Sequence, residues 1–173
     1  MKFILTCLIP TFTVLAFADH NAVAADLGSS SRIGVMLEVQ ASGKCIDNAG
    51  SRTRGAPLQG WKCSARNLNQ RFALAWQDKT NRAAAIRNKL SGMCLDVKGQ
   101  SGKSGARIVQ TGCGKSDSQI WELMKSGTND WFLIAARHSR LCLTLARKDR
   151  RHSFLTQSKC NKRNANQKFK LRT

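Results

Sequence analysis

The chain writes one pattern three times, and that repetition limits what it can fold into more than any other feature. The first copy opens with Gly43-Lys44-Cys45-Ile46-Asp47. It continues through Leu58-Gln59-Gly60-Trp61-Lys62-Cys63 and closes with Asn69-Gln70-Arg71-Phe72. The second runs from Gly92-Met93-Cys94-Leu95-Asp96 through Cys113 to Ser118-Gln119-Ile120-Trp121. The third runs from Leu141-Cys142-Leu143-Thr144 through Cys160 to Asn166-Gln167-Lys168-Phe169. The first cysteines fall at 45, 94 and 142, a period of 49 and then 48. Gln70, Gln119 and Gln167 step by the same 49 and 48. A fixed period of this length marks supersecondary units that bury a shared core only when packed together.

The first 25 residues read as an export signal rather than as part of that core. Lys2 precedes an uncharged apolar run from Phe3 to Ala18, followed by the small-residue patterns Ala16-Phe17-Ala18 and Val23-Ala24-Ala25. Cleavage is expected at 18/19 or 25/26. The run is short for a membrane span and contains Pro10, so the mature chain is expected to be secreted or periplasmic and not transmembrane. Removal takes Cys7 and leaves six cysteines, an even number suited to an oxidising compartment. Each copy owns two, separated by 18, 19 and 18 positions, so the repeat selects the bridges Cys45–Cys63, Cys94–Cys113 and Cys142–Cys160. No close Cys-x-x-Cys pair favours zinc. No metal or cofactor is implied.

The domain layout is therefore a signal over 1–25 and a single domain over 26–173, with copies at about 32–81, 82–129 and 130–173. Short β-branched and apolar runs recur between clusters of Gly and Ser, four per copy: 35–39, 44–47, 58–62 and 72–76; 84–88, 93–97, 107–111 and 120–124; 131–136, 141–145, 154–158 and 168–172. Such rhythm argues for an all-β barrel. Ala83-Ala84-Ala85 invites a helix, but the repeat aligns it with the strand candidate Val35–Val39.

Three copies with Cys-aliphatic-Asp or its remnant, a second Cys and Gln-x-aromatic resemble the ricin-type β-trefoil lectin domain. The likeness spans nearly the whole mature chain. It implies a β-trefoil, a six-stranded barrel capped by three hairpins with pseudo-threefold symmetry, in which the Gln-x-Trp element is chiefly a folding element. That element stands here as Gln119-Ile120-Trp121 and, with Phe, as Gln70-Arg71-Phe72 and Gln167-Lys168-Phe169.

A pyranose site needs an aromatic face, a carboxylate for hydroxyl donors, and amides that both donate and accept. The resemblance maps the family's galactose site onto Asp47 as the acid, Gln59 as the amide, Trp61 as the stacking platform, and the pair Asn69 and Gln70. Copy one has them all. Copy two keeps Asp96 but has Val109 and Thr111 in the amide and platform slots. Its longer cysteine spacing would allow a slip that puts Gln110 on the platform. Copy three has Thr144, Thr156 and Ser158, and retains only Asn166 and Gln167. The expected function is a lectin that recognises a galactose-like glycan through copy one.

Charge adds a second theme. The net charge is +19, with Lys2 and Asp19 of the signal cancelling. From Arg137 to Thr173 there are twelve Lys or Arg against the single Asp149, whereas residues 26–136 carry sixteen against eight. The run Arg147-Lys148-Asp149-Arg150-Arg151 falls between strand candidates, which makes it a candidate anion-binding loop, and the third copy a candidate binder of a sulfated glycan, another anionic polysaccharide or lipopolysaccharide. Nucleic acid fits less well, because of four Trp only Trp61 is expected to be exposed and the interleaved aromatics that stack successive bases are missing. A toxin partner chain is suggested by analogy alone. His20, His138 and His152 sit in no nucleophile–base arrangement, the mature cysteines are all assigned to bridges, and no enzyme is expected. If the loop binds anions, replacing Arg147, Lys148, Arg150 and Arg151 by Ser will advance elution from a heparin column without changing retention on a neutral-sugar column.

Overall fold

The computed structural model describes residues 34–49, 52–78, 83–127, 129–146 and 153–173. The proposed signal and Arg147, Lys148, Arg150 and Arg151 lie outside the described residues. Twelve strands follow one another: β1 (Met36–Val39), β2 (Lys44–Asp47), β3 (Gln59–Lys62), β4 (Phe72–Asp78), β5 (Ala83–Asn88), β6 (Cys94–Val97), β7 (Ile108–Thr111), β8 (Ile120–Lys125), β9 (Phe132–Ala136), β10 (Cys142–Leu145), β11 (Ser153–Ser158) and β12 (Phe169–Arg172). Each of the twelve sequence candidates is a strand within a residue or two at its ends. The alanines of β5 are extended, paired to β4 on one side and β8 on the other. Local helix propensity yields there to cross-strand packing.

Six strands close a barrel. Antiparallel pairing runs β4–β5, β5–β8, β8–β9, β9–β12 and β12–β1, and the Val35–Phe72 bridge joins the last to the first. Closure leaves no open sheet edge in that layer. The other six strands form three hairpins, β2–β3, β6–β7 and β10–β11. Bridges between neighbours hold the hairpins together: Phe154 pairs with Gln59, Pro57 with Val109, and Arg107 with Thr156. This is the β-trefoil.

The core shows why three copies are required. Each contributes one residue to each layer, and neighbouring copies complete it. Phe72, Trp121 and Phe169 are fully buried together with Leu37, Ile86 and Ile134, with Ile46, Leu95 and Leu143, and with Leu58, Ile108 and Leu155. These sets are equivalent positions, so the interior is apolar along the pseudo-threefold axis. Three disulfides, Cys45–Cys63, Cys94–Cys113 and Cys142–Cys160, fasten each hairpin within its own copy. In the chain-entropy account loops of this size contribute roughly 3 kcal/mol each.

The turn before each first cysteine needs a left-handed residue. Gly43 and Gly92 supply it at φ of 62° and 69°, while copy three uses Arg140 at 60°. A side chain there carries a conformational cost. Arg140 is held by Glu122, whose two carboxylate oxygens accept from its Nη1 at 2.8 and 2.9 Å.

Four short 3₁₀ turns were not foreseen. One in each copy ends on the motif glutamine: Leu68–Gln70, Asp117–Gln119 and Ala165–Gln167. The fourth, Lys98–Gln100, lies in the β6–β7 turn.

Trp121 is the largest side chain in the core, and its Nε1 donates to Leu95 O at 3.2 Å. Trp121→Ala will lower stability by about 3–5 kcal/mol in urea unfolding. Trp121→Phe, which gives copy two the ring of its neighbours, will cost less, with the remaining loss coming from the orphaned Leu95 carbonyl.

Candidate functional site

Register decides what faces what on the copy-one hairpin. Asp47 lies opposite Gln59 and Cys45 opposite Trp61, while Ile46 faces Gly60. Side chains alternate along a strand, so Asp47, Gln59 and Trp61 share the face away from Ile46, which is in the core. Trp61 is half-buried and outside the apolar core cluster. Gln59 is buried at 9 % exposure and Asp47 at 3 %. The disulfide at Cys45 and Cys63 brackets this surface.

The wall opposite the hairpin is the 3₁₀ turn Leu68–Gln70. Its cap, Asn67, accepts from Asn69 N at 3.0 Å through Oδ1, and its Nδ2 donates to Asp47 Oδ2 at 3.0 Å. Gln70 Nε2 donates to the same Asp47 oxygen at 3.0 Å and to Lys62 O at 2.9 Å, while Gln70 Oε1 accepts from Ser64 N at 2.8 Å. Asp47 Oδ1 accepts from Ala49 N at 2.6 Å, closing its own turn. Three donors thus fix the carboxylate, which has about four acceptor directions. Gln70 is consumed by the protein, and its place in the site is to aim Asp47. Asn69 is half-buried, with its Oδ1 out of water and without a protein partner. Asn67 was missed from the sequence. The signal available was its position three before the motif glutamine, shared with Ser116 and Asn164, which cap the same turn in the other copies.

Copies two and three use the same scaffold and finish it differently. In copy two Asp96 pairs with Val109 and Cys94 with Thr111. In copy three Thr144 pairs with Thr156 and Cys142 with Ser158. Val109 and Thr156 therefore stand at the position of Gln59, and Thr111 and Ser158 at the position of Trp61. The extra residue of copy two lies in the turn between β6 and β7, so Gln110 stays on the inner face, 1 % exposed. Where copy one has an indole, these copies have hydroxyls, and the hydroxyls turn inward. Thr111 Oγ1 donates to Asp96 Oδ2 at 2.7 Å, and Gln119 Nε2 bonds both, at 2.8 and 3.0 Å. Thr144 and Ser158 share a 2.8 Å hydrogen bond, and Gln167 Nε2 donates to both, at 3.0 and 2.8 Å. At this hairpin position an aromatic ring stands in copy one alone, where the other copies have Thr111 and Ser158.

Among the described residues no group of three or more His, Cys, Asp or Glu residues is placed to hold a metal ion. No helix there is long and apolar enough to cross a membrane. His138 Nε2 lies 3.1 Å from the Ser101 carbonyl oxygen, a backbone contact within the fold.

Comparison with known proteins agrees with the fold. No curated protein matches the chain. Among solved structures, a designed 3-fold symmetric protein, ThreeFoil, superposes with a TM-score of 0.74 at 25% identity, covering 79% of this chain and 96% of that one. An exo-β-1,3-galactanase from Clostridium thermocellum gives 0.73 at 24% identity, covering 79% of this chain and 29% of the enzyme. The Rhizoctonia solani agglutinin gives 0.68 at 21% identity, covering 80% and 93%. This chain thus spans nearly all of the designed protein and the agglutinin but under a third of the galactanase. The family model for the ricin-type beta-trefoil lectin domain matches residues 34–169. The chain belongs to the ricin-type β-trefoil lectin family, and with it to the carbohydrate-binding proteins.

Proposed function

We propose that the protein is a secreted or periplasmic lectin that binds a galactose-like glycan through copy one. The observation that carries this reading is the contrast between equivalent positions: an indole beside Asp47, against hydroxyls that satisfy the acid slot from within in the other two copies. A pyranose can lay its apolar C–H face on Trp61 while adjacent hydroxyls meet Asp47 and the amides of Gln59 and Asn69. Gln70 and Asn67 hold Asp47 in place for that contact. The three disulfides, with the export signal expected over 1–25, support delivery to an oxidising compartment.

The role is binding, without catalysis. Asp47 and Asp96 occupy equivalent positions of different copies, each inside its own hydrogen-bonded cluster, which does not suit paired-acid hydrolysis. The basic excess after Arg137 supports attraction to anionic surfaces as a second, long-range property. The delivery-subunit reading, with a toxin partner chain, rests on fold analogy.

Titration with a galactoside will shift indole fluorescence, and the affinity will change little between about 50 and 200 mM salt, since stacking and neutral hydrogen bonds release few counterions. Trp61→Ala will abolish both the shift and the binding and leave urea unfolding nearly unchanged. Asp47→Asn will abolish binding and also lower stability by about 1.5–3 kcal/mol, because its amide nitrogen must face a donor. Asp96→Asn will destabilise the domain without touching galactoside affinity. Retained binding in Trp61→Ala, or loss of binding in Asp96→Asn, overturns the assignment.

A further inference from the structure

The three copies share one backbone arrangement around the motif glutamine, so the residues lining each pocket can be compared position by position. In copy one the acid slot and the loop from Lys62 to Gln70 hold Asp47, Lys62 and Arg66, a net +1. In copy two they hold Asp96, Lys115 and Asp117, a net −1. In copy three they hold Lys159, Lys162 and Arg163 with Thr144 in the acid slot, a net +3. The loops of copies one and three have the same length and the same cap. Asn164 Oδ1 accepts from Asn166 N at 3.0 Å as Asn67 Oδ1 does from Asn69 N.

Replacing the acid by Thr144 changes the sign of this pocket's chemistry. In copy one Asn67 Nδ2 donates to the carboxylate. In copy three that acceptor is absent, and among the described residues Asn164 Nδ2 has no acceptor at all. Thr144 and Ser158 are closed on each other and on Gln167. Asn166 is half-buried with its Oδ1 unpartnered, an amide that can turn its NH2 towards a ligand.

Cations of the third copy are paired in some places and not in others, and Lys168 beside the loop has no carboxylate partner among the described residues. On the barrel strands and turns, Arg137, Arg140, Lys170 and Arg172 each have a carboxylate partner: Asp117, Glu122, Asp130 and Glu38. Lys159, Lys162 and Arg163 are exposed, and among the described residues their side chains have none. From Ser153 to Thr173 there is no Asp or Glu to neutralise them. Among the described residues, a floor without a carboxylate, a donor amide without an acceptor and three cations without a carboxylate partner fit an anion rather than a polyol.

We propose that copy three is a second binding site, selective for a sulfate or phosphate monoester carried on a glycan, with Arg163, Lys162 and Lys159 meeting the charge and the amides of Asn164 and Asn166 donating below them. Charge-assisted bonds to such oxygens are the strong class of hydrogen bond, and a guanidinium can make two in parallel. The site stands apart from copy one and does not rest on the galactoside reading.

The test uses the full mature chain, ¹⁵N-labelled, titrated with methyl galactoside, its 6-sulfate and its 6-phosphate. The two esters will shift the backbone amides of Asn161, Arg163, Asn164 and Asn166, and the neutral sugar will leave them in place. The two ester arms separate a sulfated from a phosphorylated source. Lys162→Gln with Arg163→Gln will weaken ester binding by about tenfold or more, the usual worth of a charge-assisted hydrogen bond. Thr144→Asp will abolish it while keeping the fold, since the Asp–hydroxyl–Gln cluster it creates already exists around Asp96. Shifts confined to copy one overturn the proposal. So does unchanged ester affinity in both variants, or ester binding lost only when Arg147, Lys148, Arg150 and Arg151 are replaced by Ser. Failure of copy one to bind galactoside would show in its own amides and leave this result readable.

Discussion

The arrangement rests on a buried carboxamide used three times. Gln70, Gln119 and Gln167 are almost wholly out of water. Each Oε1 accepts the backbone N–H just after the second cysteine, at Ser64, Gly114 and Asn161. Each Nε2 donates to the carbonyl just before that cysteine, at Lys62, Gly112 and Lys159. A buried amide left without partners would cost about 1–3 kcal/mol, so the hairpin end and the 3₁₀ turn must stay in contact. Two residues on, the chain delivers Phe72, Trp121 or Phe169 to the core. The glutamine therefore couples the apolar layer to the polar surface above it, and its second donor direction reaches the acid slot.

That coupling explains how the copies can differ without losing the fold. The side chains that vary, Trp61 against Thr111 and Ser158, sit one layer outside the clamp. A hydroxyl there joins the glutamine network and closes it, whereas an indole cannot. Copy one then needs another donor for its carboxylate, and Asn67 supplies it. The junctions between copies diverge in the same way. Gln110 and Gln157 each accept from a serine, Ser91 or Ser139, and donate to backbone carbonyls of the preceding copy's turn: Gln110 to Thr53 O, and Gln157 to Ser101 O and Lys103 O. The equivalent position in copy one is Gly60. A Cβ added there would lie 2.9 Å from Leu145 Cδ1, so Leu145 occupies the space that a longer side chain would take.

What could be read from the sequence was whatever recurs with the period. The strands, the three cysteine pairs and the aromatic core positions all repeat, and periodicity reports burial on a shared axis. The register that puts Gln59 opposite Asp47 is seen only in the folded hairpin. What escaped was set by short turns and by contacts between copies. A three-residue 3₁₀ turn has no periodic signature, so Asn67 looked like loop. The Ser91–Gln110 and Ser139–Gln157 pairs join neighbouring copies through side chains whose partners are backbone carbonyls of a turn, and carbonyls leave no mark in a sequence. The roles of Asn69 and Gln70 were blurred for the same reason. As neighbours they look like a pair, yet Gln70 is spent inside the fold and Asn69 lies at the pocket wall.

The same separation of scaffold from lining bears on how charge acts here. A net +19 raises the local concentration of anions around the whole molecule, but at physiological ionic strength the field of exposed groups decays within about 8 Å. In the two proposed sites selectivity comes instead from donors and acceptors that meet a ligand at contact distance. Copy one offers an acid held by three donors, and copy three offers amides and cations with no acid. A polyol hydroxyl can donate to the first and has no carboxylate to donate to in the second. An ester anion meets the reverse. One backbone, tied by the same glutamine, can therefore carry both chemistries, because the clamp fixes where the acid slot lies and leaves open what fills it.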